Sequence, residues 1–157
     1  MMESHEFHTV RGYQLMEQKK KLLTSSLEDY LEMIYRNIDK EGFLRINELA
    51  ELLHVKDSSA SKMAQKLGTL GLINYKKYGM IFLTEDGREL GKYLLHRHNV
   101  IAGFMVTLGV TEDALVETEL IEHHISSATL QRMHRLTLFF ERYPDVAEGF
   151  RRFAASK

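Results

Sequence analysis

Glu119, Glu122 and His123 stand at i, i+3 and i+4. On a helix that spacing sends all three side chains out of one face. Two carboxylates and an imidazole so placed repel and desolvate one another unless a cation compensates. Two further places add to this chemistry. Asp29 and Glu32 are three residues apart on the flank of an apolar stripe. His98 follows Leu94 by four residues and precedes Ile101 by three, so it sits inside another stripe. Singly, each has a plainer reading, as solvated surface acids or as a hydrogen-bonded core histidine. Together they offer four carboxylates and two imidazoles with no thiolate. That donor set suits Mn²⁺, Fe²⁺, Co²⁺ or Zn²⁺ in six-coordinate geometry, and two ions sharing a bridging carboxylate would use all of it.

A second chemistry lies earlier. Ser58, Ser59, Ser61, Lys62, Gln65 and Lys66 fall on the outward side of a helix whose inner side is Ala60, Met63, Ala64 and Leu67. Small hydroxyl residues let a helix end approach a base edge, while Lys and Gln donate to bases or phosphates. A little further on, Lys76, Lys77 and Tyr78 occupy the turn of an apparent hairpin, suited to phosphates across a minor groove. Residues 54–78 contain five Lys and one Asp, a balance of +4.

The elements that position these groups are mostly helical. One Pro in 157 residues and scattered Gly leave long uninterrupted stretches. Residues 1–25, with His5, His8 and a basic run, read either as a helix or as a mobile arm touching DNA or metal. Ser25 and Glu28 form a capping box for a helix with Leu27, Tyr30, Leu31, Ile34, Tyr35 and Ile38 on its stripe, ended by Gly42. Phe43 to Ile46 is a short strand. Asn47 caps a second helix over 48–53, and Asp57 caps the lysine-bearing third. The segment 72–84 reads as a hairpin turning near Lys77 to Gly79. Thr84 then caps a long helix to about Leu108. Thr111 caps another through about His124, with Leu115, Val116, Leu120 and Ile121 apolar. Ser126 or Ser127 caps a further one to about Arg142, and a last short helix follows Pro144.

Helix, helix, short turn, helix and hairpin is the order of a winged helix-turn-helix. The expected architecture is therefore mainly α, an N-terminal winged helix-turn-helix with a small β-hairpin wing plus an all-helical dimerisation domain. The expected boundaries are 1–25 for an extension, 26–84 for the DNA-binding domain and 85–157 for the metal-binding and dimerisation domain, joined by the long helix 85–108.

Composition narrows the alternatives. With no Cys, the sequence excludes disulfides, a thiolate nucleophile and an iron–sulfur cluster. The formal net charge of −1 hides a contrast, because residues 111–125 hold five acids and no Lys or Arg, a balance of −5. No apolar run approaches the ~18 residues of a membrane span, and no signal peptide is evident, so a cytoplasmic location without membrane contact is expected.

Several motifs in order resemble the diphtheria-toxin-repressor family. They are Ser26 to Tyr35, Ser58 to Leu67, Arg97-His98 and Glu119-Leu120-Ile121-Glu122-His123-His124. The likeness spans about residues 25–145 and is strongest to the manganese transport regulators. It implies a homodimer that binds a double-stranded DNA operator and represses metal-uptake genes when Mn²⁺ is bound. It implies Asp29, Glu32, His98, Glu119, Glu122 and His123 as ligands of a binuclear site, with Glu119 and Glu122 as bridging candidates. Fe²⁺, Co²⁺, Zn²⁺ or Cd²⁺ could substitute. Iron-responsive relatives carry Met where Asp29 stands and Cys where Glu119 stands, and they add an SH3-like third domain for which this chain is too short. No enzymatic activity and no small organic substrate are implied. The competing readings are a di-metal carboxylate enzyme and a metal-independent winged-helix repressor. The enzyme reading lacks a Glu-x-x-His pair on the helices bearing the candidate ligands and leaves the lysine-rich helix unexplained.

Overall fold

A computed structural model describes residues 3–38 and 40–156, with side chains from residue 10 onward. The side chains of His5 and His8, which the sequence leaves open as contacts, lie outside the described residues. The chain divides into two compact units, Met1–Leu95 and His96–Lys157. Helix α5 runs unbroken through the division.

In the first unit, α1 spans Glu3–Lys19 and α2 spans Ser25–Asn37. The capping hydroxyl of α2 belongs to Thr24, which accepts from the Leu27 N–H at 3.3 Å, so the Ser25/Glu28 box is not the device used. Thr24, Ser25 and Ser26 could each cap; the register that buries Leu27, Leu31 and Ile34 decides among them. The helix also stops at Asn37, well before Gly42. Strand β1 is only Leu44–Arg45, and α3 follows at once as Ile46–Leu52. Its cap is not Asn47. The Glu48 carboxylate instead reaches back to accept from the Arg45 N–H at 2.9 Å. Helix α4 is Asp57–Thr69; Asp57 is its first helical residue, favourable toward the helix dipole, rather than its cap.

The hairpin is present as β2 (Ile73–Lys76) and β3 (Met80–Leu83), joined by a 3₁₀ turn over Lys77–Gly79. β1 adds to it, giving an antiparallel sheet in the order β1-β3-β2 with Leu44 opposite Ile81 and Tyr75 opposite Ile81 on the other side. Leu31, Ile34, Leu49, Ala60, Ala64, Leu67, Leu72 and Ile81 are fully buried and form the core of this unit. Ala at two of these positions lets α4 approach its neighbours closely.

Helix α5 spans Glu85–Leu108. Thr84 starts it as expected, its hydroxyl accepting from the Gly87 N–H at 3.0 Å while donating to the Gly71 carbonyl at 2.7 Å. Gly87 is obligatory there, because a Cβ would stand 1.8 Å from the Leu72 carbonyl oxygen. Helix α1 lies against the first half of α5. A Cβ on Gly12 would meet Tyr93 Cβ at 2.5 Å, and Arg11 pairs with Asp86 at 3.1 Å. Leu15 is buried, and the Lys19 ammonium donates to the Leu70 carbonyl at 2.9 Å. From residue 10 on, the N-terminal segment is therefore a packed helix.

The second unit contains the end of α5, α6 (Ala114–Ile121), a 3₁₀ turn over Glu122–His124, α7 (Ser127–Arg142) and α8 (Pro144–Ala155). Ser126 caps α7, accepting from the Thr129 N–H at 3.2 Å. Thr111 does not cap α6, which begins three residues later with Asp113 at its N-cap position. On α6, the apolar Leu115, Val116 and Leu120 are 61%, 59% and 63% exposed. A smaller core holds Val100, Ile101, Leu130, Met133 and Ala147.

Candidate metal centre and nucleic-acid interface

Helix α4 separates two jobs by face. Ala60, Ala64 and Leu67 point into the core, while Ser58, Ser59, Lys62, Gln65 and Lys66 are exposed. Its N-terminus has no side-chain cap, so its first N–H groups remain for water or a phosphate. Ser61 differs from the other expected contacts. It is half-buried, and its hydroxyl shares a hydrogen bond of 3.0 Å with the Tyr75 hydroxyl on β2. Sequence reasoning passed over Tyr75, which is in contact with the recognition surface through Ser61. The strand alternation that sends Ile73 inward puts Tyr75 on the same side and could have revealed it.

The wing holds Lys76, Lys77 and Tyr78 outward. Tyr78 is 91% exposed with φ +63°, a left-handed backbone uncommon for an aromatic residue. The Lys76 ammonium lies 4.7 Å from the centre of the Phe82 ring, which orients the lysine through a cation–π contact.

In the second unit, four of the expected metal ligands come together. His98 lies on α5, Glu119 on α6, and Glu122 and His123 on the 3₁₀ turn. His98 Nδ1 is 3.0 Å from Glu122 Oε2 and 3.7 Å from Glu119 Oε1. His123 Nε2 is 3.8 Å from Glu122 Oε1. Glu122 is 1% exposed, whereas Glu119 is open to solvent. Glu122 stands where α6 gives way to the 3₁₀ turn and lies inside, while Glu119 stays at the rim. Arg97, noted in the sequence only as part of the Arg97-His98 motif, also belongs to the group: its guanidinium, 3% exposed, lies 3.3 Å from His123 Nδ1. The donors are oxygen and nitrogen only, and a carboxylate buried among imidazoles is a site whose charge a divalent cation balances.

The other two expected ligands sit on α2 in the first unit, one turn apart. Asp29 is half-buried. Glu32 is buried, with its Oε1 2.8 Å from an Arg36 guanidinium nitrogen. On the same helix, burial holds the Tyr30 hydroxyl above its ordinary pKa.

Known proteins match both units. Residues 22–81 match the iron dependent repressor N-terminal DNA binding domain, and residues 84–150 match the iron dependent repressor metal binding and dimerisation domain. The HTH-type transcriptional regulator MntR of Listeria welshimeri is 37% identical over 135 residues, covering 85% of this chain and 95% of that protein. The MntR of Bacillus pumilus is 40% identical over 121 residues, covering 76% of this chain and 84% of that protein. Among solved structures, the manganese regulator SloR superposes with a TM-score of 0.62 at 26% identity, covering 70% of this chain and 52% of SloR. The chain thus spans about half the length of that regulator.

A winged helix with an exposed basic reading face, followed by a helical unit gathering carboxylates and imidazoles, defines a metal-responsive DNA-binding transcriptional repressor. The chain belongs to the iron-dependent repressor family, the diphtheria-toxin-repressor family of the motif resemblance, within its manganese-regulator branch.

Proposed function

We propose that this protein represses metal-uptake genes in response to Mn²⁺, binding a double-stranded DNA operator as a homodimer. The observation that carries the reading is the buried Glu122 carboxylate facing His98 and His123 in the second unit. In this reading Asp29 and Glu32 join His98, Glu119, Glu122 and His123 to hold two ions. The metal supplies a compact double positive charge. The residues do the rest: the acids of α2 and the donors of α5, α6 and the 3₁₀ turn give up mutual repulsion by sharing it. A segment 1–25 precedes the DNA-binding domain 26–84, and 85–157 carries metal binding and dimerisation.

Ser58, Ser59, Ser61, Lys62, Gln65 and Lys66 face the major groove, with Lys76, Lys77 and Tyr78 on the flanking backbone. Leu115, Val116 and Leu120, an apolar face left uncovered on α6, support association with a second copy. Among the described residues no helix is long and apolar enough to cross a membrane. The proposed setting is the cytoplasm, with no reaction catalysed and no small organic substrate.

Mn²⁺ is favoured over iron by Asp29 and Glu119, which are hard oxygen donors. Fe²⁺, Co²⁺, Zn²⁺ and Cd²⁺ remain able to occupy the site, because intrinsic affinity rises toward the later metals and selection rests on geometry and supply. The coupling needed between metal and DNA is modest, about 1–3 kcal/mol. Operator binding titrated separately with Mn²⁺, Fe²⁺, Co²⁺ and Zn²⁺ tests this, repeated with Asp29→Met. The expected result is Mn²⁺-dependent binding that turns toward iron in the variant. Equal DNA affinity with Mn²⁺ and with chelator would overturn it.

A further inference from the structure

We propose that Lys20 and Lys21, where the N-terminal helix ends, form a phosphate clamp outside the winged helix, holding the DNA backbone beside the C-terminal end of the reading helix α4. The inference rests on the reading that α4 docks on DNA. It adds residues beyond the matched DNA-binding domain, since that match begins at residue 22.

Three lysines stand in a row at 19–21. On a free arm such a run would spread into water. Here the first of the three is fixed. The Lys19 ammonium donates to the Leu70 carbonyl at 2.9 Å, and Leu70 is the residue that closes α4. The Lys19 carbonyl accepts from the Leu22 and Leu23 N–H groups at 2.8 and 2.9 Å. Leu23 is buried, so the turn that carries Lys20 and Lys21 is anchored on both sides. Upstream, buried Leu15 and the Arg11–Asp86 pair hold α1 itself.

Lys20 and Lys21 are exposed, and among the described residues neither pairs with a carboxylate. Neighbouring ammonium groups repel one another, and a row of phosphates relieves that repulsion. Their place in the fold suits such a row. The reading residues of α4 run from Ser58 to Lys66, and Lys66 precedes Leu70 by about one turn, roughly 6 Å along the axis. A helix lying in a major groove has a sugar–phosphate wall along each side. The carbonyl end of a helix repels that wall, and the Lys19 ammonium on the Leu70 carbonyl offsets the repulsion. Along the chain, the Cα atoms of Lys20 and Lys21 are within about 8 Å of the Lys19 Cα, so two further charges are brought to the same end of α4.

Binding of operator and non-operator duplexes by the full chain with Mn²⁺, followed across a salt series, tests the clamp. Lys20→Met/Lys21→Met should weaken both duplexes alike, by about 10-fold, and lower the salt slope by about two, because each phosphate contact contributes about 0.9. Lys20→Arg/Lys21→Arg should keep both affinity and slope, since charge is what the clamp requires. An unchanged slope in the Met variant, or an Arg variant as weak as the Met variant, overturns the clamp. Should the double Met variant fail to fold, Lys20→Met and Lys21→Met singly should each lower the slope by about one; two unchanged slopes overturn the clamp. Lys62→Met separates this failure from that of the reading beneath it. A slope lowered in Lys62→Met but not in Lys20→Met/Lys21→Met overturns the clamp alone. No salt-dependent binding by the unsubstituted chain overturns the reading and the clamp together.

Discussion

Residues 54–78 keep five Lys on the outside of elements whose inner faces are fully buried. Residues 111–125 hold five acids, draw Glu122 to 1% exposure, and leave Leu115, Val116 and Leu120 uncovered. The first segment has its charges in water and its apolar groups in a core, so folding alone completes it. In the second, a charge is inside and apolar groups are outside. The exposed basic face thus belongs to one unit, and the buried carboxylate and the uncovered apolar face belong to the other.

That contrast can be broken by substitution. Leu67 lies at the centre of the first core, and Leu67→Ala should cost about 2–5 kcal/mol of stability with metal present or absent, measured by denaturant unfolding. If added Mn²⁺ restored the loss completely, the DNA-binding unit would not be complete in itself. Leu120→Ser should leave the fold of a single chain intact but weaken self-association by about 1–2 kcal/mol, read by sedimentation. A variant that associates as tightly as the unsubstituted protein would show that the uncovered face of α6 is not the contact.

How far the sequence was legible follows the same contrast. In the first unit, α4, the hairpin and the Thr84 cap follow directly from apolar spacing and turn chemistry. Its errors are local. Thr24 displaced Ser25 and Glu48 displaced Asn47 as caps, because neighbouring residues of similar chemistry compete and burial of the stripe chooses. In the second unit, the donors His98, Glu119, Glu122 and His123 were legible as types, and the structure brings them together. The 3₁₀ turn, and the burial of Glu122 beside an exposed Glu119, were not, since the spacing alone reads as one continuous helix. The sequence marks Leu115, Val116 and Leu120 as apolar without giving the direction they face. An apolar stripe says that something covers it, not whether the cover lies in the same chain. Arg97 was legible only as part of the Arg97-His98 motif; its contact with the His123 ring, 3.3 Å away, was not.

A smaller effect sharpens the comparison on the basic side. Lys62 is exposed on α4 with no role in the core. Lys62→Met should weaken operator and non-operator DNA alike by about 1 kcal/mol and lower the salt slope of binding by about one. The Mn²⁺ concentration needed for half response should stay where it is. A shift in that concentration would mean that the basic face and the metal centre are not separable.

The smallest effect distinguishes position from contact. Tyr75 reaches Ser61 with its hydroxyl, and this bond of 3.0 Å ties strand β2 to the reading helix. Losing it in Tyr75→Phe removes one hydrogen bond, a stability cost of about 0.5–1.5 kcal/mol, while the ring keeps its packing. The Ser61 hydroxyl is then released to turn toward DNA or water. Discrimination between operator and altered operator should fall, while non-operator affinity, which rests on the lysines, should not move. Ser61→Ala should lose the same discrimination, and the double variant should lose no more than either single one, since both act through one bond. Additive losses would place Ser61 and Tyr75 in separate contacts. The reading face would then be specified by its exposed residues alone, without support from the wing strand.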